Sequence, residues 1–166
     1  MNKKTIVITT VILAVMIIIS TIIKPKYYIN LSCSIPRGIY KVIPFDGQLK
    51  PGDIVIFDPP VQARPYVYGR AWLPKGWPLI KPVGAITGDE YQIKEHSIII
   101  NNHYKGPVYS YDKDGQPINY KKGRFIVEKE HFLPISTYIK RSFDGRYFGQ
   151  VPYSLIRGKA KLIIKL

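Results

Sequence analysis

The chain has 166 residues, and 25 Lys and Arg against 11 Asp and Glu leave a formal net charge of +14. Its 46% hydrophobic and 22% charged residues exclude a disordered chain, and its length suits about one domain. A single Cys excludes an intrachain disulfide framework and a Cys-based zinc cluster, while 14 Pro and 13 Gly demand many turns.

Residues 5–23 carry no charge, with Lys3 and Lys4 before them and Lys24 and Lys26 after. Roughly 20 apolar residues span a bilayer core as a helix. The expectation is a retained transmembrane anchor at residues 5–23 behind a short cytoplasmic basic tail at residues 1–4. A short basic tail before a first apolar segment favours an exported C-terminal part, although lysines on both sides weaken that bias. A cleavable signal peptide is the alternative, and Ile22-Ile23-Lys24-Pro25 is a poor small-x-small cleavage site. Either reading excludes a plain cytosolic domain.

Residues 24–166 then form one exported domain. A basic domain at a bilayer is attracted to anionic head groups. The Lys and Arg residues are scattered with no long basic run, which argues against nucleic acid as the partner.

No repeat of 20–50 residues is present, so a solenoid is excluded. Short β-rich runs dominate after the apolar segment. Strands are expected at residues 38–43, 53–57, 79–86, 91–93, 97–101 and 124–127, bounded by Gly, Pro, Asn and Asp. Residues 59–78 read as an irregular excursion and residues 106–122 as a polar insertion. The fold expected is mainly β, an antiparallel folded sheet or barrel after one N-terminal transmembrane helix, with a possible β insertion around residues 90–130.

Four patterns follow one another along the chain. They are Asn30-Leu31-Ser32-Cys33-Ser34-Ile35-Pro36-Arg37-Gly38-Ile39-Tyr40, Lys50-Pro51-Gly52-Asp53-Ile54-Val55-Ile56-Phe57, Lys81-Pro82-Val83-Gly84-Ala85-Ile86-Thr87-Gly88-Asp89, and Ser142-Phe143-Asp144-Gly145-Arg146-Tyr147-Phe148-Gly149-Gln150-Val151-Pro152. Each alone has a bland reading. Pro-Gly-Asp and Thr87-Gly88-Asp89 are ordinary turns, Asp144-Gly145 is a hairpin signal, and a lone lysine is a solvated charge.

In this order they resemble the type I signal peptidase superfamily of membrane-bound Ser/Lys proteases. The Ser34-x-Pro36-x-Gly38-x-Tyr40 continuation looks most like the TraF-type conjugative-transfer peptidases. The resemblance implies a signal-peptidase-like fold in the bacterial cytoplasmic membrane, with the catalytic domain on the periplasmic or extracytoplasmic side. It implies Ser34 as nucleophile, Lys81 as general base, and Ser32 with the Ser34 backbone N–H as the oxyanion hole. Ser142 would orient the lysine, and Asp144 and Arg146 would form a supporting ion pair. The implied substrate is a membrane-anchored pilin-like precursor or preprotein, with no cofactor or metal. One departure stands out. Housekeeping signal peptidases place the serine three residues before the proline, where this chain has Cys33. Cys33 is therefore the alternative nucleophile, or a small packed side chain.

The chemistry sets a condition on Lys81. A serine hydroxyl needs an adjacent base, and a lysine serves only when neutral. At an unperturbed pKa of about 10.4, roughly one lysine in 2,500 is neutral at pH 7. Burial lowers that pKa by up to ~3–5 units, and Leu79, Ile80, Pro82 and Val83 flank Lys81. Lys81 is therefore expected to be buried, close to Ser34, and free of a carboxylate partner. The 11 residues from the end of the apolar run to Ser34 keep it within about 40 Å of the bilayer.

Other readings remain open at this point. His96, His103 and His131 lack metal-binding spacing, and a Ser-His-Asp triad through His131 and Asp144 has no nucleophile elbow beside it. Trp72 and Trp77 suit packing or a membrane interface better than base stacking. Against the peptidase stand a general type I signal peptidase and a non-catalytic membrane-anchored component of a secretion or conjugation apparatus.

Overall fold

In a computed structural model, the backbone is described for residues 2–22 and 26–166, and the side chains for residues 2–15 and 26–166. Helix α1 runs over Lys3–Ile22, where β-branched and aliphatic residues leave no polar face. Thr9 and Thr10 return their hydroxyls to the carbonyls of Thr5 and Ile6 at 2.9 Å each. Among the described residues no helix is long and apolar enough to cross a membrane. The expected span at residues 5–23 ends in residues whose side chains lie outside that description.

The rest is strand-built. Strands β1 (Tyr27–Asn30), β2 (Gly38–Ile43), β3 (Ile54–Phe57), β4 (Leu79–Ile86), β5 (Glu90–Ile93), β6 (Ser97–Ile100), β7 (His103–Pro107), β8 (Gly123–Ile126), β9 (His131–Pro134), β10 (Val151–Pro152) and β11 (Ile156–Lys165) form two sheets. The first is seven-stranded, in the order β1-β2-β11-β3-β4-β9-β10, and the second is four-stranded, in the order β7-β6-β5-β8. All pairings are antiparallel among the described residues. The seven-stranded sheet stays open, with β1 and β10 at its edges.

The strands expected at 38–43 and 79–86 appear with those bounds, those expected at 53–57, 91–93 and 97–101 differ by one residue at one end, and that expected at 124–127 is displaced by one residue to 123–126. Five strands were not anticipated: β1, β7, β9, β10 and β11. Strand β11 bridges β2 and β3 and passes through two bulges that break its simple alternation. The excursion at 59–78 holds one helical turn, α2 (Arg64–Val67), with Pro65 in its first turn. There Pro removes no needed donor.

Two apolar clusters flank the centre of the larger sheet. Leu79 and Val83 of β4 and Phe132 of β9 join Val55, Phe57 and Val67 in one. Ala85 of β4 and Leu133 of β9 join Tyr91, Ile93, Ile98 and Ile100 in the other. Strand β9 reaches both clusters because the successive side chains of Phe132 and Leu133 leave it on opposite faces, and β4 reaches both across the register shift between Val83 and Ala85.

Candidate active site

The loop carrying the serines spans residues 31–37, between the paired strands β1 and β2. Its closing residue, Gly38, is required by space. A Cβ there would lie 2.1 Å from the carbonyl oxygen of Ile164 on β11. Tyr40 then reaches back, donating its hydroxyl to the Pro36 carbonyl at 2.7 Å. The Pro-x-Gly-x-Tyr continuation is therefore a clamp that shapes the serine loop. Ser34 is buried within it at 4% exposure. Its Oγ lies 3.1 Å from Ser32 Oγ, which donates to Asn30 Oδ1 at 2.8 Å. The Ser34 carbonyl accepts a bond from Ser136 Oγ.

Lys81 sits on β4, opposite Val55 of β3, with 7% exposure. Burial lowers its pKa from an ordinary 10.5 to about 8, opposed by the negative charge of Asp144 and assisted by the positive charge of Arg146. It forms no ion pair among the described residues. Its Nζ donates to Ser142 Oγ at 3.3 Å rather than to Ser34. About one molecule in ten holds a neutral lysine of that pKa at pH 7. The expected burial is observed, whereas the amine's hydrogen-bond partner among the described residues is Ser142 and not Ser34.

The segment after β9 carries the supporting residues. Asp144-Gly145 does not form a hairpin. Asp144 caps the single turn α3 (Gly145–Phe148), its carboxylate accepting from the Arg146 N–H at 3.2 Å. Gly145 is the residue that fits, since a Cβ there would lie 2.7 Å from Leu133 Cδ1. The other Asp144 oxygen accepts from the Ser136 N–H at 3.0 Å. The Arg146 guanidinium approaches Asp144 at 3.7 Å as a fully buried ion pair, and its Nε has no hydrogen-bond partner. Its other nitrogens reach the carbonyls of Ser136, Lys140 and Ser142. The ion pair expected from the sequence is present, but backbone hydrogen bonds supply most of what holds the segment.

Ser32, Ser34, Lys81, Trp72 and Phe143 line two adjoining cavities, of about 650 and 410 Å³. The larger adds Ser142 and the charged rim of Arg70, Asp112 and Arg141. The smaller is mostly aliphatic and aromatic and runs along β1 past Ile29 and Leu31. A serine and a buried lysine at the junction of two clefts can act on a chain lying across both.

Cys33 is exposed and accepts a bond from Arg37 at 3.0 Å, on the rim of the larger cavity. His131 and His103 hold backbone carbonyls through Nδ1 at 2.9 and 2.7 Å. None of the three histidines lines either cavity. Trp72 packs edge-on to Phe143, while Trp77 is exposed at the mouth of the smaller cavity.

The model of the family described as "Signal peptidase, peptidase S26" matches residues 2–165. The chain belongs to this family. As a peptidase S26 member it is 32% identical, over 81% of its length and 80% of the relative's, to the "Conjugal transfer protein TraF" of Agrobacterium fabrum. It is 33% identical, over 83% of its length and 77% of the relative's, to the "Probable conjugal transfer protein TraF" of Sinorhizobium fredii. A signal peptidase I crystal structure from Enterococcus faecalis overlaps 67% of this chain and 95% of its own, with 18% identity and a TM-score of 0.39.

Two residues of this peptidase's site were given no role by the sequence, although Asn30 opens the first pattern. Asn30 and Ser136 are both buried and both bind the serine loop. Ser136 carries no sequence signal, because its partner lies 102 residues away. Asn30 ends a strand whose exposed, weakly alternating residues hide it.

Proposed function

We propose that this peptidase is a membrane-bound serine endopeptidase with a Ser34/Lys81 dyad, acting in conjugative transfer on an exported pilin-like precursor. The observation that carries the reading is a buried lysine, bonded to a serine hydroxyl and to no carboxylate among the described residues, lining the same cavity as Ser34. The names of the relatives support the conjugative role.

In the proposed reaction Ser34 Oγ adds to the scissile carbonyl carbon as its proton passes to neutral Lys81. The Ser34 N–H and the Ser32 hydroxyl stabilise the oxyanion. Lys81 then gives its proton to the leaving amine as the C–N bond breaks. A water molecule, deprotonated by Lys81, hydrolyses the resulting ester. Ser142 holds the amine in place, and Asp144 and Arg146 fix the segment that carries it. The substrate lies extended across both cavities and pairs with the free edge of β1. An anchor at residues 5–23 holds enzyme and substrate on one membrane surface, raising their effective concentration.

The test is incubation of the full-length protein with candidate pilin precursors, read by mass spectrometry. Ser34→Ala and Lys81→Ala are expected to abolish product while circular dichroism stays native. Processing that survives both substitutions would sink the reading and leave a non-catalytic component. Broad cleavage of unrelated preproteins would instead identify a general signal peptidase.

A further inference from the structure

Asn30 ends β1 opposite Gly38, with its side chain turned into the serine loop and 7% exposed. Its Nδ2 faces three carbonyl oxygens, those of Ser32 at 2.9 Å, Ile35 at 3.4 Å and Pro36 at 3.2 Å. This sets the orientation of the amide, because the flipped form would turn oxygen on three oxygens. Oδ1 therefore faces Ser32 and accepts from its N–H at 3.3 Å and its hydroxyl at 2.8 Å.

The consequence passes along the chain of hydroxyls. A serine hydroxyl has one proton and two lone pairs. The Ser32 proton is committed to Asn30, so the 3.1 Å contact between the two serines runs from Ser34 to Ser32. The lone pairs of Ser34 Oγ are thereby left without a donor from Ser32. Were Asn30 absent, the Ser32 hydroxyl would be free to donate to Ser34 Oγ at 3.1 Å, drawing electron density from the attacking oxygen.

We propose that Asn30 is a positioning residue which, by holding the Ser32 proton, keeps the Ser34 oxygen free to act as nucleophile. The assignment rests on the Ser34/Lys81 reading. During attack the Ser34 proton leaves Ser32 for Lys81. As the oxyanion forms, the Ser32 hydroxyl rotates from Asn30 to it, exchanging a neutral hydrogen bond for a stronger charge-assisted one. Asn30 keeps the Ser32 N–H throughout, so the loop holds its shape while one hydroxyl turns.

The test is a double-mutant cycle in the full-length protein in detergent micelles, using the candidate pilin precursors of the assay above as substrates. Asn30→Ala should lower kcat by roughly 10- to 30-fold with KM within about twofold, since it acts on the oxygen and not on substrate contacts. Ser32→Ala should also lower kcat. The double variant should stay within about threefold of the worse single variant, because the effect of Asn30 on the Ser34 oxygen passes through the Ser32 hydroxyl. Asn30→Ser, whose hydroxyl can still accept from the Ser32 N–H in a two-residue turn but lacks the amide that meets the loop carbonyls, should also lower kcat and serves if the alanine variant unfolds. Losses that multiply, or an Asn30 variant within about twofold of wild type, would overturn the assignment. An inactive wild type, or cleavage that survives Ser34→Ala, would overturn the peptidase reading and the assignment with it. Cleavage that needs Ser34 but shows multiplying losses overturns the assignment alone.

Discussion

Lys81 Nζ donates to Ser142 Oγ at 3.3 Å, and no carboxylate pairs with the amine among the described residues. The hydroxyl orients the amine without adding a negative charge that would hold its proton. Asp144 is near enough to raise the lysine pKa but has its own partners in Arg146 and the Ser136 N–H. The arrangement lets a lysine be buried, oriented and partly neutral at once.

The first expectation is a pH profile. With a Lys81 pKa of about 8, kcat/KM should rise about tenfold per pH unit below that value and level off above it. Asp144 raises this pKa, so Asp144→Asn should move the limb to lower pH. A profile that is flat from pH 6 to 9, or an Asp144→Asn limb displaced upward, would contradict it.

Stability should show the same group with the opposite balance. The folded pKa of about 8 lies below the ordinary 10.5, so below pH 8 the fold carries a buried charge that the unfolded chain hydrates. Lys81→Met should therefore be more stable than wild type by roughly 1–3 kcal/mol at pH 7. Between pH 8 and 10.5 the unfolded chain binds more protons, wild-type stability rises, and the gap should narrow. Urea unfolding at pH 7 and pH 10 measures both.

Ser142→Ala removes the hydroxyl that orients the amine and leaves the apolar surroundings in place. A drop of roughly 10- to 100-fold in kcat is expected with little change in KM, since positioning is lost and binding is not. Ser142→Thr should restore part of it. Steady-state kinetics on the three proteins decides this.

Asp144→Ala should act mainly on stability. It strips a cap, an acceptor for the Ser136 N–H, and the only carboxylate near the buried Arg146 among the described residues. Breaking a buried pair and leaving one charge costs about 3–5 kcal/mol. Chemical denaturation should show the loss, and replacing Arg146 as well, with Met, should recover part of it.

Much of the site was legible because its residues fall in short local patterns. The Ser-x-Pro-x-Gly-x-Tyr run reads as a clamp once the neighbours are known. Gly38 leaves room for the Ile164 carbonyl, and the Tyr40 hydroxyl pins Pro36. Apolar neighbours of Lys81 announced its burial, and the short β-branched runs announced β2, β3 and β4. Strand β11 was missed although charged residues alternate at Arg157, Lys159 and Lys161. Its two bulges and its position between strands far away in the chain blur that signal.

Which chemical groups are available, and that a lysine would lie among aliphatic side chains, could be read along the chain. Those are properties of neighbours along the chain. Tertiary structure alone decided that Ser136 would hold the carbonyl of Ser34, and that Lys81 would meet a hydroxyl instead of the Asp144 carboxylate. It also decided that Asn30 Oδ1 would accept the hydrogen bond of the Ser32 hydroxyl. Hydrogen bonds act over about 3 Å and depend on direction. Such partners are chosen only when separate strands and loops are brought into register.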